Sequence, residues 1–113
     1  LTNVTLPDSL TSIGDFAFRG CTGFTSIAIP NSVTSIGEAA FLACKNLTSI
    51  TIKNISTNIE SDAFYSCTEL TDVYYNGTID QWNANKDPMG MWWGYSLNGN
   101  CTVHCTDGDI TKN

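Results

Sequence analysis

The sequence has few charged residues, and most of those it has are acidic. Only 14% of the 113 residues are charged, with eleven Asp and Glu against five Lys and Arg, which gives a formal net charge of −6. Nucleic acids and anionic membrane surfaces bind basic faces, so this balance argues against both as partners. The chain also lacks an apolar run long enough to span a bilayer, so we expect no membrane insertion.

Sequence patterns typical of catalysis and metal binding are missing as well. His104 is the only histidine, and it has no partner for nucleophilic catalysis and no second ligand for a metal. The sequence contains no C-x-x-C pair, phosphate-binding loop or Gly-x-Ser-x-Gly segment. We therefore expect no enzymatic activity, no cofactor and no bound metal.

What the sequence does have is a gapless repeat of 23 residues, with blocks that begin at Leu1, Phe24, Leu47 and Leu70. The fourth and sixth positions of each block are apolar or aromatic and belong to one face of a short strand. One block cannot bury its apolar edge alone, whereas stacked blocks form a continuous core. The repeat therefore predicts equivalent strands paired in parallel, about 4.8 Å apart.

Two further elements are expected in each block. A second short strand is predicted over residues 10–13 and again over 33–36, where β-branched residues are frequent. The segments around Phe18, Phe41 and Phe64 have too few residues for a full helix, so we expect a helical turn in each.

The block pattern L-x-x-I-x-I-P-x-S-V-T-x-I-G-x-x-A-F-x-x-C resembles the BspA-like leucine-rich repeats, closely over residues 1–69 and in part over 70–82. The later segments, G-T-x-x-Q-W at 77–82, His104 with Cys105, and Asp107 with Gly108, are similar to the family's usual ending. The resemblance implies a leucine-rich-repeat solenoid of the α/β class, dominated by β-structure. Its features would be right-handed 23-residue coils, parallel strands, short helical turns and a C-terminal cap. Residues 1–82 would form the coils and residues 83–113 the cap.

The resemblance also implies an extracellular or cell-surface location, in a bacterium or a parasitic protozoan. We expect a non-catalytic module for adhesion or protein interaction, within a larger surface protein, whose partner is a host or surface protein or a glycan. The alternatives are a passive spacer and a carbohydrate-binding accessory domain of a surface enzyme. Rows of Ser and Thr suit a binding module and a spacer equally.

The outward positions of the main strands are the natural binding face. They form two rows, Asn3, Ser26, Ser49, Asp72, Thr102 and Thr5, Ala28, Thr51, Tyr74, His104. Only the C-terminal end has distinctive side chains, so Asp72, Tyr74 and His104 are candidate ligand-binding residues. A solvated sheet with no ligand has the same Ser and Thr rows, and His104 then becomes a solvated strand residue beside Tyr74.

An aromatic segment at residues 89–95 provides the remaining candidates, Trp92, Trp93 and Tyr95. Exposed aromatic side chains bind sugars or anchor protein interfaces. The end of a repeat array must also be covered, which favours a capping role for the two tryptophans. We predict that Trp92→Ala lowers the melting temperature, and that Trp82 packs on the last repeat.

The five cysteines are expected to be free. Cys21, Cys44 and Cys67 recur at one repeat position, and stacked side chains that point the same way are poorly placed for a disulfide. Cys101 and Cys105 lie about 13 Å apart along one strand, too far to bond to each other. Cys101 is either an exposed thiol on the outward row or a buried residue of a folded loop, and the sequence leaves both open.

The first repeat is expected to present apolar side chains with no preceding repeat over them, namely Leu1, Val4, Leu6, Ile13 and Phe18. An uncovered apolar face of this size drives association. We therefore expect the isolated chain to form a dimer or a larger assembly, through end-to-end or edge-strand contact.

Overall fold

The chain forms two β-sheets and one short helix, in a computed structural model that describes residues 3–23, 25–60, 63–64, 67–85 and 101–111. In chain order, the elements are β1 (Asn3–Thr5), β2 (Ser12–Ile13), β3 (Ser26–Ile29), β4 (Ser35–Ile36), β5 (Ser49–Ile52), β6 (Asn58–Ile59), β7 (Asp72–Tyr75), α1 (Ile79–Asn85), β8 (Thr102–Cys105) and β9 (Gly108–Thr111). One sheet has the order β1-β3-β5-β7-β8-β9, and the other has the order β2-β4-β6.

The register of the larger sheet follows the sequence repeat. Asn3 pairs with Ser26, Ser26 with Ser49, and Ser49 with Asp72, all in parallel strands. Each partner lies one repeat further along, so equivalent side chains stack on each other. The prediction of parallel pairing between equivalent strands is confirmed.

A second strand is confirmed in the first two repeats, where it covers two residues of the four predicted, and the third repeat has an equivalent strand that was not predicted. Ile13 pairs with Ile36, and Ile36 with Ile59, in a parallel sheet of two-residue strands. Ile13 and Ile36 are buried and Ile59 is half-buried against the core. This short sheet gives each repeat a second line of backbone hydrogen bonds to its neighbour.

The prediction of helical turns around Phe18, Phe41 and Phe64 is wrong, because the described residues there form consecutive β-turns. Alternate N–H groups of the first repeat donate to carbonyls of the second, from Phe16, Phe18 and Gly20 to Glu38, Ala40 and Leu42, at 3.0, 2.7 and 2.8 Å. The N–H groups between them donate within the repeat, three residues back. A helix directs every N–H along its own axis, so a backbone that gives half of its donors to a neighbour cannot be helical. Phe16, Ala39 and Ala43 accordingly have positive φ values of 59°, 55° and 59°.

The core consists of stacked columns of equivalent side chains. Phe18, Phe41 and Phe64 stack with ring centroids 5.2 and 5.1 Å apart and an interplanar angle of 9° in both pairs. Trp82 is fully buried and meets the Tyr75 ring edge-on at 5.3 Å. The prediction that Trp82 packs on the last repeat is therefore confirmed.

The apolar side chains of the first repeat are less exposed to solvent than its sequence suggests. Ile13 was expected to face outward, but it is only 4% exposed, because its strand β2 directs it into the core cluster beside Ile36. Leu6 and Phe18 are half-buried against the same core. Leu1 and the side chain of Val4 lie outside the described residues.

The third repeat departs from the block pattern at Lys53 and Glu60, where the first two repeats have proline and glycine, and such a departure predicts a local irregularity. The described residues instead keep the regular register: the Lys53 N–H donates to the Ile29 carbonyl at 3.4 Å, and the Glu60 N–H to the Ile36 carbonyl at 3.0 Å. Replacing proline with lysine adds a backbone donor, so the exchange extends the ladder.

The helix α1 begins with a reciprocal cap. The Gln81 N–H donates to Thr78 Oγ1 at 3.1 Å, and the Thr78 N–H donates to Gln81 Oε1 at 2.8 Å, which is the capping-box arrangement. Asp107 Oδ1 accepts from the Ile79 N–H at 2.9 Å, so the turn between β8 and β9 is tied to the start of the helix. These contacts fix the hairpin at the end of the larger sheet, beside the candidate site. Within the described ranges, we find no helix with the length and apolar character to cross a membrane.

Candidate functional site

The two outward rows predicted from the repeat lie side by side on the larger sheet. The parallel register continues from β7 to β8, where Asp72 pairs with Thr102 and Tyr74 with His104. The structure therefore brings three of the sequence candidates together, Asp72, Tyr74 and His104, at the C-terminal end of the sheet.

Tyr74 is an exposed large hydrophobic side chain on this face. It is 46% exposed, and its ring stacks on the imidazole of His104 with centroids 4.7 Å apart and an interplanar angle of 14°. On the other side, Tyr74 is paired with Thr51 of β5. Because a threonine side chain is short, it covers little of the second ring face, and the tyrosine is available for stacking.

His104 is held by two carboxylates, which we call the histidine clamp (Asp72, His104 and Asp109). Its Nε2 lies 2.8 Å from Asp72 Oδ1, and its Nδ1 lies 3.1 Å from Asp109 Oδ1. The position beside Tyr74 was predicted and the side chain is 31% exposed, but its pairing with two carboxylates was not predicted. Both ring nitrogens are occupied, because Asp109 arrives opposite His104 on the antiparallel strand β9.

The electrostatics of the clamp favour the charged forms of its members. The hydrogen bond to Asp72 raises the pKa of His104, partial burial opposes this, and Asp109 raises it further. The same hydrogen bond lowers the pKa of Asp72, and a second one from the Thr71 hydroxyl, 2.9 Å from Asp72 Oδ2, acts in the same direction. These shifts favour an imidazolium between the carboxylates, and both ring nitrogens are hydrogen-bonded and not available to a ligand.

A groove crosses three strands at their carboxyl ends, beside Tyr74, and has a volume of about 360 Å³. One wall is the outward row Thr51, Tyr74 and His104, and the other is formed by the residues two positions further on, Lys53, Asn76 and Thr106. This volume lies at the lower end of the range for small-ligand sites, roughly 300–1,000 Å³. We call it the Tyr74 groove.

The lining of the Tyr74 groove combines aromatic and apolar surface with polar groups, and it contains no carboxylate. Lys53 is exposed and forms no salt bridge among the described residues. The Asn76 amide donates to the Lys53 carbonyl at 3.3 Å, which leaves its oxygen for an acceptor role. Hydroxyls of Thr51 and Thr106 complete a set of mixed donors and acceptors.

The other sequence candidates, Trp92, Trp93 and Tyr95, lie outside the described residues. They stay predictions from the sequence, as does the effect of Trp92→Ala.

The cysteines are free throughout the described part of the chain. The thiols of Cys44 and Cys67 donate to the Phe18 and Phe41 carbonyls, at 3.1 and 3.0 Å, so the predicted column of unbridged thiols is confirmed. Cys101 is fully buried, and burial raises its pKa to about 12. Of the two interpretations left open, the buried residue is therefore the one that the fold adopts. Among the described residues, no group of three or more His, Cys, Asp or Glu is placed to hold a metal ion.

Sequence reasoning missed three features of this region. It did not pair Asp109 with His104, it did not identify the groove wall formed by Lys53, Asn76 and Thr106, and it did not predict α1. Signals for two of these were present: Thr78 and Gln81 have capping-box spacing, and an Asp-Gly turn sequence follows β8. The groove wall has no sequence signal, because it depends on which residues follow each stacked strand.

Comparison with known proteins identifies the class of protein. The family model for the BspA type leucine rich repeat region matches residues 1–85 in six copies. The chain belongs to this family of leucine-rich repeat proteins, and its fold of parallel strands is dominated by β-structure.

Two solved structures resemble the chain. The first is a leucine-rich repeat protein from Bacteroides ovatus ATCC 8483, with 41% identity and a TM-score of 0.60 over 66% of this chain and 19% of that protein. The second is a leucine rich cell surface protein from Faecalibacterium prausnitzii A2-165, with 23% identity and a TM-score of 0.47 over 75% of this chain and 35% of that protein. The chain thus spans much less than half of either protein, and neither name describes an enzyme. No curated protein matches the chain.

Proposed function

We propose that the chain is a non-catalytic binding module of a bacterial cell-surface protein. In this proposal, residues 1–82 form right-handed 23-residue coils of a solenoid, residues 83–113 close its end, and the module serves adhesion to a host or surface protein or glycan. Membership of the BspA-type family supports the surface location.

The observation that carries the proposal is the contrast along the outward row of the larger sheet. Ala28 and Thr51 are small, whereas Tyr74 is 46% exposed and is held in place by the stack on His104. Exposed aromatic side chains that are already ordered bind partners at low entropic cost. A passive spacer does not require an ordered, exposed aromatic side chain beside a groove.

The test is a binding screen of the chain against immobilised host matrix proteins and a glycan array. Tyr74→Thr repeats the residue of the preceding outward position and removes the aromatic ring. The matched control is Phe16→Asn, which removes an aromatic side chain that is 52% exposed and lies at a turn, where its φ of 59° suits asparagine. We expect binding that Tyr74→Thr weakens and Phe16→Asn does not.

Two other results would contradict the proposal in different ways. Binding that is lost only in a Trp92→Ala/Trp93→Ala variant with an intact fold would move the site to the aromatic segment, as in an accessory carbohydrate-binding domain. No binding of any probe would favour the spacer.

A further inference from the structure

We propose that the Tyr74 groove binds a neutral sugar, a pyranose residue of a glycan that stacks on the free face of Tyr74. This inference rests on the proposed function, because it names the chemical class of partner for the same face. Three properties of the groove lead to it: the aromatic face, the hydroxyl and amide groups of a lining without carboxylates, and the small size.

The aromatic face suits the apolar face of a sugar ring. His104 covers one side of the Tyr74 ring at 4.7 Å, and the short Thr51 leaves the opposite side accessible from the groove. The axial C–H groups of a pyranose pack against such a face, as they do on exposed aromatic rings in general. The clamp keeps His104 in place, so the tyrosine needs no reordering when the sugar binds.

The walls supply partners for hydroxyl groups. Thr51 and Thr106 offer hydroxyls that donate and accept, the oxygen of Asn76 accepts, and Lys53 donates from the rim. A sugar hydroxyl is itself both donor and acceptor, so this mixed set satisfies it without an added charge.

The charge distribution favours a neutral sugar over an acidic one. Lys53 is the one lysine of the groove, and the imidazole of His104 is already flanked by the carboxylates of Asp72 and Asp109. With two carboxylates and one imidazole, the clamp is negative in either protonation state of His104, and the whole chain has a formal net charge of −6. A carboxylate or sulfate on the ligand would be repelled by this field.

The size of the site argues against a protein partner. A stable protein interface buries about 800 Å² on each side and is anchored by a cluster of aromatic side chains. On the outward rows of the described strands, Tyr74 is the only exposed large hydrophobic side chain, and its neighbours on β3 and β5 are Ser, Ala and Thr. The groove of about 360 Å³ matches one or two sugar units better than a protein surface.

The experiment combines an array of neutral and acidic glycans with an NMR titration of the ¹⁵N-labelled chain by methyl glycosides of neutral hexoses and N-acetylhexosamines. We expect binding to neutral glycans that is insensitive to added salt, and amide shifts concentrated at residues 51–53, 74–76 and 104–106. Tyr74→Thr should lower the affinity at least tenfold, whereas Phe16→Asn should change it less than twofold. A thermal melt of each variant establishes that the fold is intact.

The possible failures are distinguishable. Binding confined to acidic glycans, weakened by salt as charge pairing requires, overturns the neutral-sugar inference. Tyr74-dependent binding to an enzymatically deglycosylated matrix protein overturns the sugar inference and leaves the binding module in place. If Tyr74→Thr loses affinity only because the variant unfolds, its thermal melt shows this. The deciding variant is then Thr51→Trp, which fills the groove beside the Tyr74 ring. Unchanged sugar binding in Thr51→Trp overturns the proposal.

Discussion

At the scale of single residues, Gly37 shows how closely neighbouring repeats approach. A Cβ at this position would lie 2.5 Å from the Asp15 backbone nitrogen and 2.7 Å from the carbonyl carbon of Gly14. Asp15 itself is held there, since its Oδ1 accepts from the Glu38 N–H at 2.9 Å. The glycine is therefore required by the backbone of the preceding repeat.

We predict that Gly37→Ala lowers the free energy of unfolding by about 1–3 kcal/mol, the usual cost of overpacking. The equivalent residue of the first repeat, Gly14, has no atom within 4 Å of its would-be Cβ. Gly14→Ala is thus a matched control, with an expected change within about 0.5 kcal/mol. Urea denaturation measures both, and equal effects of the two substitutions would show that contact between repeats is not the cause.

The hydrogen bonds of single polar residues also explain why the chain has few charged residues and many Ser, Thr and Asn. Short neutral side chains donate to a backbone carbonyl 22–24 residues earlier, as in Ser32 to Leu10, Asn54 to Asn31 and Thr57 to Val33, at 2.6, 2.9 and 2.8 Å. The short side chain of Ser, Thr or Asn is long enough to reach the carbonyl of the neighbouring repeat. Because it has few rotatable bonds, little side-chain entropy is lost when the hydrogen bond forms. The low share of charged residues therefore reflects polar positions that are used to join repeats.

At the scale of elements, the aromatic column connects three repeats. Phe41 is fully buried between Phe18 and Phe64, whereas Phe18 is half-buried at the end of the column. We predict that Phe41→Ala destabilises the chain by about 3–5 kcal/mol and Phe18→Ala by distinctly less, because the end position leaves a smaller cavity. Differential scanning calorimetry of the two variants checks the order, and a larger loss at Phe18 would contradict it.

The histidine clamp joins β7, β8 and β9 and makes their association depend on pH. The pKa of His104 is raised above its ordinary value of 6.5 in the folded chain, so its contribution is complete below that value and is lost as the pH rises through the folded pKa. The pKa of Asp72 is lowered from 3.8, so its contribution is present above that value and is lost as the pH falls through the folded pKa. Between 3.8 and 6.5 both contributions are present.

We therefore predict that the free energy of unfolding falls as the pH is raised above about 6.5, by about 0.2–1 kcal/mol for each partly exposed pair. His104→Gln keeps a polar side chain of similar reach but cannot be charged, so the fall above pH 6.5 should disappear in this variant. Denaturant titrations across the pH range measure the effect. An equal slope in both proteins would assign the dependence to other groups.

At the scale of the whole molecule, the first repeat keeps apolar groups at the surface of the isolated chain. Leu6, Leu10, Phe18 and Cys21 are only partly buried against the core. We propose self-association through this face. Light scattering of the isolated chain should give a dimer or larger assembly, and a Leu10→Ser variant should shift it toward the monomer. A concentration-independent monomer of the unmodified chain would rule this association out.

The repeat architecture could be predicted from the sequence because it is encoded locally and several times over. Ile27, Ile50 and Val73 occupy the same position of successive repeats, and only parallel stacking in register buries such a column continuously. The free thiols at Cys44 and Cys67 follow from the same rule. Asp72, Tyr74 and His104 could be placed together for this reason, since it was enough to count 23 residues per repeat and to extend the register to the strand that contains His104.

Some features were decided only by the tertiary structure. They occur where the sequence repeat ends, or where neighbouring repeats compete for the same backbone hydrogen-bonding groups. The turns near Phe18 are not helical because the next repeat takes alternate N–H donors, a demand that a single segment does not reveal. The state of His104 and the burial of Cys101 depend on the terminal hairpin, whose position is set by long-range contacts to β7 and to the start of α1. The sequence by itself therefore determined the repeating frame, because each repeat presents the same apolar pattern to its neighbour. The clamp and the groove required the folded chain, because they join residues that no local pattern relates.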